Sequence, residues 1–369
     1  MTMYEQGKNA LASGHYNDAL NHANALLAQD PNHTEALWLR IDALDQLHRY
    51  EDVASATLAL PPSIPRNATF LTEQARVLLQ AKHYVPAIQS ALLALRFEHH
   101  NPLAQVHLAM ALTKIHRLED AIVCLEAALK MNPPEEAKLF IQSQLVHTLR
   151  NAVCWRHLDV HSTELMARVA ALPEDAADQV NAFFLLALND DPALQLRQAR
   201  RISRHASKGI TPLDSLHKPR ASKPVRIGYL SSYFGNTPCM QLMRGMLKMH
   251  TKNVDVTFYN HSRPDGSALQ QEILALPHRI VNVHRVDNRT IAQQIKNDDV
   301  DILIDLNGYT DENRHAVFAY KPAPLQLTMV GYPGTSGAPY IDYILGDRVV
   351  TPEEHQKDFQ ECIAQMPHC

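Results

Sequence analysis

The chain has 369 residues, 46% hydrophobic and 20% charged, with a formal net charge of −4. That length exceeds one ordinary hydrophobic core, so two or more folding units are expected, and the composition excludes a disordered or fibrous chain. A weakly acidic balance supplies no basic face for nucleic acid, and no apolar run approaches the roughly 18 residues of a membrane span. Cys124, Cys154, Cys239, Cys362 and Cys369 are scattered and never spaced C-x-x-C, which argues against a disulfide framework or a structural zinc site. The 21 histidines include no H-E-x-x-H string. Residues 1–10 carry polar residues throughout, without the apolar core of a secretory signal. A soluble protein of a reducing compartment, the cytoplasm, is expected.

The first third repeats with a period of 34: Tyr16, Tyr50, Tyr84 and Leu118 share one register, and Ala19, Val53, Ala87 and Ala121 another. The local strings HYNDAL, RYEDVA, HYVPAI and RLEDAI agree, and Pro31, Pro65 and Pro133 close the repeats. A small residue precedes three of the bends (Gly7, Ala75, Ala109), Ile41 being the exception. The small residue lets two helices approach, the aromatic opens the second helix, and proline ends it for want of an N–H. A 34-residue helix–turn–helix unit of this kind resembles the tetratricopeptide family. Four repeats over residues 1–134 are therefore expected to form an α solenoid. Lys8, Asp42, Arg76 and Met110, with Glu5, Glu73 and His107 one turn earlier, would line its concave groove. They offer a mixed-charge groove for protein or peptide partners, or simply the solvated face of each first helix.

Residues 135–222 keep helical patterning but lose the period. Cys154-Trp155 resembles the Cys-x-Trp helix that joins repeats to the catalytic part of a glycosyltransferase family, and 211–224, with Pro212, Pro219 and Pro224, reads as a linker. From residue 223 to 369 short buried strands alternate with helices. Strands are expected at 225–230, 254–259, 279–283, 301–306, 325–330 and 340–345, and helices at 240–249, 267–276 and 290–296. This alternation predicts an α/β domain with a doubly wound parallel sheet, whose ligands bind at the carboxyl ends of the strands. Three loops lie there: Ser231-Ser-Tyr-Phe-Gly-Asn-Thr-Pro238, Asn307-Gly-Tyr-Thr310 and Gly331-Tyr-Pro-Gly-Thr-Ser-Gly-Ala338. The last is rich enough in glycine and hydroxyls to let backbone N–H groups approach an anion or a sugar, though each could be an ordinary turn.

The strings RIGYLSSYFGN, DILIDLNGYT, KPAPLQ and GYPGTSGA, in this order, resemble the catalytic region of the protein O-linked N-acetylglucosaminyltransferases, and Met366-Pro367-His368 fits the same pattern. The resemblance covers residues 224–368. It implies the first lobe of a two-lobed enzyme that moves N-acetylglucosamine from UDP-GlcNAc to Ser or Thr of proteins. It implies no metal or other cofactor. Carried over residue by residue, Gly331, Tyr332, Pro333, Gly334, Thr335, Ser336 and Gly337 would border the sugar and diphosphate. His278 would be a catalytic residue facing the cleft; as a bare residue it could equally cap or precede a strand. Two departures stand out. Thr237 occupies the place of a family histidine in the substrate-binding region, with Gln241 at a second, and threonine is no base near neutral pH. The second lobe has no counterpart, so a truncated chain, not competent alone, is expected. The alternative is a non-catalytic repeat scaffold carrying a relic transferase lobe. Asp299-Val-Asp301 matches a D-x-D metal string superficially and reads as a turn entering a strand.

Overall fold

The structure, a computed structural model, describes residues 2–47, 49–61, 64–176, 180–213, 224–250 and 253–367. His368, most of the 211–224 linker and Cys369 lie outside the described residues. The chain forms two compact units, Met1–Arg168 and Val169–Cys369.

The first unit is a run of helical hairpins: α1 (Met3–Ala12) with α2 (Tyr16–Gln29), α3 (Thr34–Gln46) with α4 (Tyr50–Leu58), α5 (Ala68–Gln80) with α6 (Tyr84–Phe97), and α7 (Pro102–Lys114) with α8 (Leu118–Lys130). Tyr16, Tyr50, Tyr84 and Leu118 each open the second helix of a hairpin, which is the place their period assigned them. Ala19, Val53, Ala87 and Ala121 are fully buried, so neighbouring helices close on them without a gap. Gly7 does the same on α1, where a Cβ would lie 2.6 Å from Leu39. Two residues before Tyr16, Tyr84 and Leu118 the chain turns left-handed: φ is +77° at Gly14, +64° at Lys82 and +61° at His116. Only glycine adopts this without strain.

A fifth pair follows, α9 (Glu135–Asn151) and α10 (Leu158–Ala171). α9 runs 17 residues against 13 for α7, and α10 opens at Leu158 rather than at 152, the position 34 beyond Leu118. The longer first helix breaks the phase and conceals the hairpin from a fixed-period search. Cys154-Trp155 lies in the loop between these helices, not on one, and Trp155 is exposed.

In the second unit, α11 (Ala182–Leu186) and α12 (Pro192–Ala206) precede a seven-stranded sheet. Its strands are β1 (Val225–Ser231), β2 (Val254–Asn260), β3 (Arg279–Asn282), β4 (Ile302–Asp305), β5 (Leu325–Met329), β6 (Tyr343–Gly346) and β7 (Cys362–Gln365). Every pairing is parallel, in the order β3-β2-β1-β4-β5-β6-β7. Helices α13 (Pro238–Met249), α14 (Ala268–Leu274), α15 (Asn288–Asn297) and α16 (His315–Ala319) connect the strands. Successive strand residues point to opposite faces. Tyr229 joins a core with Met240, Met243 and Leu247 of α13 and Ile273 of α14, while Leu230 joins another with Ile291 and Ile295 of α15 and Phe318 of α16. Both faces are covered, as a doubly wound sheet requires. Arg201 of α12 is buried, and its guanidinium donates to the carbonyls of Val169 (3.0 Å) and Pro173 (3.1 Å) and to that of Leu172. Strand β7 and the short α16 were not expected from sequence.

Candidate functional site

The strand order reverses between β1 and β4. From β1 the chain steps outward to β2 and β3, then returns across to β4, so the connections leaving β1 and β4 go to opposite faces. At such a switch point a crevice opens beyond the carboxyl ends of the strands.

Asn307, 1% exposed, closes the floor of that crevice. Its Oδ1 accepts from Ser231 Oγ (3.0 Å) and from the backbone N–H of Ser232 (3.1 Å), and its Nδ2 donates to Ser232 Oγ (2.7 Å). One amide thus ties the loop after β1 to the loop after β4. Asp305, also buried, fixes Asn307 in turn by accepting from the N–H groups of Asn307 (2.9 Å) and Gly308 (3.2 Å). Buried His315 places Nδ1 3.7 Å from the Asp305 carboxylate and Nε2 3.5 Å from Tyr309 Oη. Burial, then the nearby Tyr340, Tyr332 and carboxylates, raises the Tyr309 phenol well above its ordinary value, so it stays neutral and hydrogen-bonds the carbonyl of Ser336 (2.5 Å).

The glycine-rich loop after β5 is clamped against these residues. A Cβ on Gly331 would collide with the Leu306 carbonyl oxygen, and one on Gly308 (φ +55°) with the Tyr332 side chain. Gly331 therefore allows the β5 loop to touch the β4 loop backbone to backbone, and Gly308 makes room for the Tyr332 side chain. The hydroxyls of the loop turn inward. Glu361, 1% exposed, accepts from Thr335 Oγ1 (2.6 Å), from the Ser336 N–H (2.6 Å) and from Ser336 Oγ. Tyr332, Thr335, Ser336 and Gly337 are buried, whereas Gly331 and Gly334 are half-buried and Pro333 is exposed. What the loop offers a ligand is the backbone from Gly331 to Gly334, not its hydroxyls. Pro333, Gly334 and Thr335 also border a cavity of 370 Å³, with Leu186, Pro192, Gln195, His355, Asp358 and Phe359.

Thr237 and His278 lie elsewhere. Thr237 is the N-cap of α13: its Oγ1 accepts from the Met240 N–H (3.3 Å) and donates to the Tyr233 carbonyl (3.1 Å). It lies within the loop after β1, at its junction with α13, with its hydroxyl committed. His278 immediately precedes β3, at the amino edge of the sheet and opposite the loops. Its Nε2 contacts the Leu247 carbonyl (2.9 Å) at the end of α13, and its ring packs on Phe258. The structure does not bring His278 to the glycine loop. Asp299 and Asp301 also lie at the amino edge, where both pair with Arg226 (3.3 and 3.7 Å). Among the described residues no group of three or more His, Cys, Asp or Glu side chains is placed to hold a metal, and no helix is long and apolar enough to cross a membrane.

At the end of β2, His261 is 4% exposed and, among the described residues, its Nε2 has no hydrogen-bond partner. Burial first, then the charges of Arg314 and His284, holds this imidazole well below its ordinary value.

Residues 201–369 match the family model described as Glycosyl transferase family 41, and residues 4–56 match a tetratricopeptide repeat. Among curated proteins, a probable UDP-N-acetylglucosamine–peptide N-acetylglucosaminyltransferase of Arabidopsis thaliana is 33% identical over 237 residues, covering 61% of this chain and 24% of that protein. A UDP-N-acetylglucosamine–peptide N-acetylglucosaminyltransferase of Caenorhabditis elegans is 39% identical over 166 residues, 43% of this chain and 14% of its own length. The chain thus spans a quarter or less of these relatives. A mutant of the Thermobaculum terrenum O-GlcNAc transferase superposes with a TM-score of 0.52 at 20% identity, over 99% of this chain and 56% of that one. That likeness establishes the fold: helical repeats followed by a parallel sheet.

The sequence strings already contained Asp305 and Asn307 but gave them no role; D-L-N-G is a turn signal, and here the turn is the switch-point floor. Glu361 carried no signal, since its partners lie 25 and 26 residues away.

Proposed function

We propose that this chain supplies the acceptor-side lobe and the repeats of a protein O-linked N-acetylglucosaminyltransferase, which transfers N-acetylglucosamine from UDP-GlcNAc to Ser or Thr hydroxyls without a metal. The observation that carries this reading is the family 41 match over a loop whose glycines are sterically obligatory at the switch point. In the proposed role the backbone of Gly331, Pro333 and Gly334 borders the sugar and diphosphate, where unhindered N–H groups can approach oxygen. Glu361, Asp305 and Asn307 hold that backbone in place, which is the preorganisation such transfer depends on. His278 supports α13 and takes no part in proton transfer. Protein or peptide acceptors would enter through the repeat groove, where Arg76 pairs with Asp45 (3.1 Å) and Glu73 (2.5 Å). The unpaired thiols of Cys124, Cys154, Cys239 and Cys362 suit the cytoplasm.

A second reading, a repeat scaffold without transfer, is favoured by one observation. Thr237 has its hydroxyl committed to capping α13 and offers no base where the related enzymes carry histidine. The deciding experiment incubates the chain with radiolabelled UDP-GlcNAc and a Ser/Thr peptide, beside a photoreactive donor analogue. Sugar on the peptide, or cross-links at residues 331–334, lost in Gly331→Ala, supports the transferase. Peptide retention with neither signal supports the scaffold.

A further inference from the structure

The fifth hairpin carries a cleft that neither sugar transfer nor the repeat groove uses. It has a volume of 430 Å³ and opens between α8, α9 and α10. Its floor is Gln142 of α9, 3% exposed, and its rim carries Lys130, Lys138, Arg168, Glu126 and Glu164. The orientation of the Gln142 amide is fixed, because two acceptors lie on its nitrogen side: Nε2 donates to Glu164 Oε2 (2.8 Å) and to the His161 carbonyl (3.5 Å). Its Oε1 is therefore the opposite atom, and among the described residues it is buried with no partner. Nδ1 of His161, another lining residue, is likewise buried and unpartnered. A buried acceptor left unmade costs about 1–3 kcal/mol, so Oε1 calls for a donor from outside.

The rim shows what else would be welcome. Lys138 and Arg168 converge on one exposed carboxylate, Glu135, the first at 3.3 Å. Hydrogen bonds from Arg168 first and Lys138 second hold that carboxyl below its ordinary value. Lys130 faces the same cleft with no ion pair among the described residues. The cations are thus arranged for a carboxylate. Glu126 and Glu164 in the same walls oppose a multiply charged phosphate.

We propose that this cleft docks an acidic residue of a partner polypeptide, its carboxylate against Lys130, Lys138 and Arg168 and its main-chain N–H on Gln142 Oε1. An acidic residue within a peptide presents a single carboxylate and a neutral N–H donor a few ångströms apart. The site does not rest on transferase activity, and it is separate from the groove that contains Arg76.

The test is calorimetric titration of the full chain with capped pentapeptides. One carries a central Glu, one Gln, and a third has neutral side chains with a free C-terminus. The Glu peptide is expected to bind at least tenfold more tightly than the Gln peptide. Lys130→Glu and Lys138→Ala, both surface changes checked by circular dichroism, should each weaken it several-fold, while Arg76→Glu should not. If the free C-terminal peptide also binds and is weakened by the same variants, the chain end is a second source of the carboxylate. Equal binding of Glu and Gln peptides, affinity untouched by both lysine variants, or loss with Arg76→Glu alone would overturn the proposal.

Discussion

Glu361 is the side chain on which the glycine-rich loop depends, and removing it gives a measurable consequence. Its carboxylate satisfies one backbone N–H and two hydroxyls, all in residues buried to 96% or more (Thr335 is 4% exposed, Ser336 2%). A hydrogen bond to a charged group contributes about 1.5–3 kcal/mol. In Glu361→Ala the Ser336 N–H cannot reorient and stays unmade, while the hydroxyls recover only what entering water supplies. Losing the equivalent of two such bonds gives about 3–5 kcal/mol. For a unit of this size each kcal/mol is worth about 2–4 °C, so the melting point should fall by about 10 °C. Glu361→Gln keeps a carbonyl for the Ser336 N–H and should cost about half as much. Differential scanning calorimetry on the full chain reads the shift. Tryptophan fluorescence serves as an internal reference, because Trp38 and Trp155 both lie in the Met1–Arg168 unit. A Glu361→Ala melt within about 2 °C of the parent would refute the reasoning, since the carboxylate would then not be what holds the loop.

Three further outcomes are expected. Lys82→Gly should stabilise the repeats by about 1 kcal/mol in urea unfolding, because φ +64° is a left-handed conformation that costs a side-chain-bearing residue about 1–2 kcal/mol; destabilisation would show that the lysine stem contributes more than the strain. His261, held well below its ordinary value of 6.5, is neutral in the folded chain while the unfolded chain takes up the proton. Stability should therefore fall as pH drops through about 6.5, at up to about 1.4 kcal/mol per pH unit, and urea midpoints for His261→Gln should be flatter between pH 6.5 and 5.5. A peptide bound in the repeat groove should lose affinity between about 50 and 300 mM salt, since Lys8 and Asp42 are exposed, Arg76 is half-buried, and exposed charges are screened; affinity independent of salt would point to apolar recognition.

The architecture was legible where local physics repeats or alternates. Four hairpins followed from the register of Tyr16, Tyr50, Tyr84 and Leu118, because packing at a helix opening recurs with the repeat. The strands of the sheet centre followed from short apolar runs between turns, and each expected strand overlaps an observed one. The fifth hairpin escaped because a longer α9 (17 residues against 13) and a longer loop after it together delay the opening of α10 to Leu158. Strand β7, Cys362–Gln365, escaped because its exposed, polar-mixed edge has no apolar run to announce it. In the candidate site the glycines were readable as glycines, but the sequence could not say that Thr335 and Ser336 face inward. Their partner, Glu361, reaches them only through the fold. His278 illustrates the converse: a lone histidine looks the same in sequence whether it lies at the carboxyl or the amino edge of a sheet.

The close approaches at Gly331 and Gly337 set a limit on motion. A Cβ at the first would strike the Leu306 carbonyl and at the second the backbone of α12 at Arg200 and Ala199. The loop is wedged at both ends between main-chain walls, with Glu361 drawn tight beneath it. Such a segment works as an anvil rather than a flap: it can receive a ligand but not fold over one. Any opening and closing that accompanies ligand exchange has to come from elements that move against this loop while it stays still.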